Sequence, residues 1–77
     1  MMNFFAPAQV KGIDGAVYNG AGAAAAVVAN NVTVFALAPM GVEVGSHYEI
    51  TGPGGKPDYK VVCAFALPAM AVFTLKG

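Results

Sequence analysis

No charged residue occurs between Asp14 and Glu43. A segment of that length and polarity leaves two options. It crosses a bilayer, for which about 20 apolar residues suffice, or it forms strands whose faces are covered by protein. Asn30 and Asn31 sit together in its middle, and Gly20, Gly22 and Pro39 punctuate its ends. Neither flank carries the cluster of basic and aromatic anchors that marks a span. The second apolar run, residues 61–75, is too short to cross and contains Pro68. The expectation is therefore a set of buried strands joined by turns, with a membrane association as the alternative.

The rest of the chain sharpens this. Only 10% of its 77 residues are charged and 57% are hydrophobic, with no Arg, no Trp, one Ser and one His. About 25% charged is ordinary. A small domain has the most surface per residue to cover, and so few polar groups cover it poorly. Some apolar surface is expected to face another copy, another protein or lipid. The single cysteine, Cys63, excludes an internal disulfide, and domains this short usually compensate by oligomerising or binding metal. The four lysines, Lys11, Lys56, Lys60 and Lys76, are scattered and the net charge is zero, which argues against nucleic acid as a partner. The first residues have no basic n-region and too short an apolar run for a signal peptide. The sequon Asn31-Val32-Thr33 is then read as chance.

Along the chain, residues 1–12 read as an extended arm, since Phe4-Phe5 precedes Pro7 and the residue before proline avoids the helical region. Residues 13–77 read as a single small domain. Ala16-Val17-Tyr18 is a short strand candidate. Residues 23–29 are ambiguous: alanine favours helix, but Val27-Val28 and the following asparagines favour a strand, which is the preferred reading. Residues 32–38 are the clearest strand, apolar at odd and even positions apart from Thr33, and expected to be covered on both faces. Residues 42–51 alternate, with Val42, Val44, Tyr48 and Ile50 on one side and Glu43, His47, Glu49 and Thr51 on the other. The turn Gly52-Pro53-Gly54-Gly55-Lys56-Pro57 leads into a return strand with Tyr59, Val61, Cys63, Phe65 and Leu67 on its apolar side. Pairing Thr51 with Asp58 sets Tyr48 opposite Val61, Val44 opposite Phe65, Val42 opposite Leu67 and Glu49 opposite Lys60. Pro68 ends the hairpin and residues 71–75 form a last strand. The fold class expected is all-β, a small antiparallel barrel or sandwich with an extended N-terminal arm.

Chemistry has few parts to work with. His47 shares a face with Glu43 and Glu49, so a carboxylate could orient its ring, yet a metal site needs three or four ligands and a surface histidine is the plainer reading. Cys63, placed opposite Ser46 and away from His47, has no base within reach and reads as a small buried hydrophobe. Gly20-Ala21-Gly22-Ala23-Ala24-Ala25 resembles a dinucleotide fingerprint but lacks the βαβ context that makes one work. Gly52-Pro53-Gly54-Gly55-Lys56 lacks the following Ser or Thr of a phosphate loop. No catalytic, cofactor or metal site is expected, and the chain is read as non-enzymatic. Phe4, Phe5, Phe35 and Leu37 are the candidate protein-interaction residues.

The start Asn3-Phe4-Phe5-Ala6-Pro7, the short Ala/Gly/Val-rich strands after it, and the stretch Ala-Pro-Met-Gly-Val-Glu-Val-Gly at residues 38–45 together resemble the small decoration, or cement, proteins of tailed-bacteriophage heads. The resemblance is one of style over most of the chain and carries no residue-by-residue correspondence. It implies a β-rich protein bound at capsomer junctions, often as a trimer, that reinforces the shell. Its partners would be copies of itself and a major capsid protein. Its place would be the virion, assembled in the host cytoplasm. A small membrane-associated protein and a free-standing β binding module are the alternatives.

Overall fold

In a computed structural model of the chain, which describes residues 4–15, 22–37 and 41–77, every regular element is a strand. The strands are β1 (Ala6–Gly12), β2 (Ala23–Val28), β3 (Asn31–Ala36), β4 (His47–Thr51), β5 (Lys56–Leu67) and β6 (Met70–Lys76). They close into an antiparallel barrel in the order β1-β2-β3-β6-β5-β4. Closure is complete only at one end: β4 pairs with β5 no further than Lys60, and among the described residues the later part of β5 is paired on the β6 side alone, so association has both side-chain surface and a short strand edge to use.

The alanine-rich segment is strand β2. Its inward positions Ala23 and Ala25 are small because they face the crowded interior opposite Ala36 and Val34. A short turn at Ala29 and Asn30 follows, with Ala29 in the left-handed region at φ 56°. The interior is filled by Val10, Val32, Val34, Tyr48, Ile50, Tyr59, Val61, Phe73 and Leu75 with these alanines. The rings of Tyr48 and Phe73 meet there at 5.9 Å. At one end the turn between β4 and β5 folds over the barrel. Tyr59 donates its hydroxyl hydrogen bond to the Gly54 carbonyl, and Gly54, at φ 68°, leaves no room for a side chain between Val27 and Val32.

Several expectations need correcting. Residues 6–12 are not an arm: Ala6–Gly12 is β1, which places Val10 in the core and pairs with both β2 and β4. The barrel therefore begins at Ala6, because alternation from Ala6 through Ala8 to Val10 gives that segment one apolar face. Residues 1–3, the strand proposed at 16–18 and residues 38–40 lie outside the described residues. The strand expected from residue 42 starts only at His47. A turn in which the Ser46 N–H donates to the Glu43 carbonyl, with Gly45 at φ 96°, precedes it, and Val44 is exposed.

The hairpin register is also different. Tyr48 lies opposite Tyr59 and His47 opposite Lys60, with a bulge before Ile50 pairs with Lys56. This is a slip of two residues from the expected pairing at Tyr48. Because side chains alternate with period two, such a slip keeps every side chain on its face while changing every partner. A second bulge, at Val62, has the larger consequence. It shifts Cys63 opposite Thr74 and Ala64 opposite Phe73. Beyond it the odd-numbered residues turn outward and Ala64 packs against the core instead. The interior at that level already holds Phe73, and six strands enclose too little space for Phe65 as well. Cys63 is consequently exposed, not buried.

Candidate interaction face

Partners directly opposite each other in neighbouring strands point to the same side of a sheet. On the outside of the barrel, one such row runs Pro7, Ala24, Phe35, Val72, Phe65 across β1, β2, β3, β6 and β5. A parallel row runs Ala26, Thr33, Thr74, Cys63, of which Ala26 is already buried within the chain itself. Met70 and Leu67 pair beyond the first row, and Leu37 continues β3 with its side chain against Gly22. No charged residue stands in either row. Outward positions of an ordinary small barrel carry polar residues, so this face is inverted.

Phe65 is 63% exposed, Leu37 61% and Leu67 41%. Phe35 is half-buried because Phe5 lies on it edge to face, with ring centroids 4.8 Å apart at 69°. Of the four candidate residues, Phe5 and Phe35 thus meet on this face, and Leu37 stands on the same strand. Phe4 is 69% exposed and precedes them. Phe5 packs on its own barrel, so Phe4 is the projecting member of the pair. The residues missed in the sequence are Phe65, Val72, Met70 and Leu67. No local signal marked Phe65 and Leu67 as outward, because the bulge at Val62 is what turns them.

The charged groups lie on or beside β1 and β4, at the start of β5 and at the end of β6. Lys11 lies opposite Glu49 across β1 and β4. Asp14 Oδ1 accepts the His47 backbone N–H at 3.1 Å, and His47 Nδ1 lies 2.7 Å from Asp58 Oδ1. The ring is oriented by Asp58 from the neighbouring strand, and not by Glu43 or Glu49. Among the described residues no three His, Cys, Asp or Glu side chains gather as metal ligands, and no helix is long and apolar enough to cross a membrane. Compared with known protein families, curated proteins and solved structures, the chain matches none.

Proposed function

We propose that this chain is a non-enzymatic assembly subunit of the capsid decoration, or cement, kind. Its uncharged outer face on β2, β3, β6 and the second half of β5 buries against copies of itself and the wall of a larger protein shell in a virion. The observation that carries this reading is the apolar row from Pro7 to Phe65, which leaves Phe65 largely exposed. A standard interface takes about 800 Å² from each partner. That is a little under a fifth of the 4547 Å² this barrel exposes, which is within the reach of one face. Repetition over a lattice multiplies a modest contact into a strong one.

Protein fits this face better than the interior of a bilayer does. Lys11, Glu49 and Lys60 interrupt any apolar band around the barrel. Every strand except β5 is five to seven residues long, short of the 9–11 that a spanning strand needs.

Phe65→Glu places a charge on the proposed interface, at the β5 end of the apolar row. It should weaken self-association at least about 30-fold, as the loss of a buried aromatic anchor does, while leaving the circular dichroism spectrum and melting temperature near those of the parent. The parent's Cys63 thiol should react with a thiol reagent at least about tenfold more slowly in the assembled state than in the dissociated subunit, because it sits in the same face. Unchanged assembly of the Phe65→Glu chain, or equal thiol reactivity in both states, would refute the assignment of this face.

A further inference from the structure

Lysines that are scattered in sequence gather in the barrel. Lys11 is compensated by Glu49 opposite it. Lys56 lies with its ammonium over the Tyr59 ring and its side chain against Gly77, while Lys60 and Lys76 are brought together across β5 and β6. Lys60 has His47 opposite it on β4 and Lys76 opposite it on β6. His47, Lys60 and Lys76 therefore form one row across adjacent strands, their Cβ atoms about 4.5–5.5 Å apart. Like charges placed directly opposite are destabilising, so the row is unfavourable unless something negative sits on it.

Among the described residues, the protein's own carboxylates meet only the His47 end of the row. These basic groups line a groove of about 350 Å³ together with Asp58, Val62 and Gly77. Asp58 is turned to His47 Nδ1 at 2.7 Å. That contact engages Asp58 in orienting the ring. Among the described residues, neither Lys60 nor Lys76 has a carboxylate within salt-bridge distance.

We propose that this groove is an oxyanion site that takes a phosphate-type group between Lys60 and Lys76, with the His47 ring as its wall. Each ammonium offers three rotatable donors, and a doubly charged oxyanion accepts from both while cancelling their repulsion. The groove lies at the opposite end of β5 and β6 from Phe65 and Val72, so this proposal stands or falls separately from the assembly reading. A free phosphate ester and a lipid headgroup present the same chemistry to such a site.

The test is calorimetric titration of the full chain with inorganic phosphate against sodium chloride at matched ionic strength. A second arm measures binding to phosphatidylcholine vesicles with and without phosphatidic acid. Phosphate should bind where chloride does not, and Lys60→Gln or Lys76→Gln should each weaken it by about tenfold, the worth of one charge-assisted hydrogen bond. Lys11→Gln, at the compensated position, should leave it unchanged. Binding confined to vesicles with phosphatidic acid, and lost in the Lys60 and Lys76 variants, would assign the same site to a lipid headgroup. Phosphate no better than chloride together with no vesicle binding, or binding that survives both substitutions, would overturn the site.

Discussion

Phe73→Ala should lower the melting temperature by at least about 12 °C. Phe73 is 1% exposed and packs against Tyr48 in the middle of the barrel. Emptying such a position costs about 3–5 kcal/mol, because the lost burial is joined by an unfilled cavity. A chain of this length is stable by only about 4–12 kcal/mol in total, and each kcal/mol moves the midpoint of so small a domain by about 4–8 °C. The control is Phe35→Ala. Phe35 is the same residue type on the neighbouring strand, but it faces outward and its main partner is Phe5. An aromatic pair of that kind contributes about 0.5–1.5 kcal/mol beyond its area, so Phe35→Ala should cost clearly less than Phe73→Ala. Thermal melts of the two variants side by side check the inside-outside assignment. Equal losses would mean that β3 and β6 do not present the faces described.

Gly54→Ala should be nearly as damaging, through the turn and not the core. A Cβ there would meet Val32 Cγ2 at 2.8 Å and Val27 Cγ2 at 2.9 Å, with the backbone at φ 68°. The left-handed conformation costs a residue with a Cβ about 1–2 kcal/mol, and forcing a methyl into a filled space costs about 1–3 kcal/mol more. The two contributions are separable. Gly45→Ala bears only the backbone term, since nothing lies within 4 Å of a Cβ at that position, where φ is 96°. In the double variant Gly54→Ala/Val27→Ala, part of the steric loss should return, because Val27 is 42% exposed and its truncation costs little by itself. Denaturant melts of the four chains measure that coupling. Strict additivity of the two substitutions would show that the turn does not seat against Val27.

The all-β character was legible because its signals are local: the alternation in the hairpin, the Gly-Pro turn, and Pro68 closing β5. Even β2 followed from Val27, Val28 and the asparagines winning over alanine's helical preference. What the sequence concealed were the two bulges. A bulge is decided by what the interior can hold, and no local pattern in residues 59–67 states that Phe73 already occupies the level at which Phe65 would point inward. The same effect exposes Cys63. β1 was hidden for a related reason, since its inward residues Ala6 and Ala8 are small and only Val10 marks it as core. Phe35 and Leu37 were recognisable as surface needing cover from the uninterrupted apolar run, whereas Phe65 joined them only once the strand had shifted. The basic row was invisible as well, because Lys60 and Lys76 are sixteen positions apart in the chain and meet through the β5–β6 register.

The face and its use can be tested in one measurement: the mass of the purified, detergent-free chain by light scattering over a range of concentrations, beside that of Phe65→Glu. The account predicts a discrete oligomer, or mass that rises with concentration, for the parent and a folded 7.8 kDa monomer for the variant. A parent that stays monomeric at every concentration, or one that is soluble only in detergent, would contradict it.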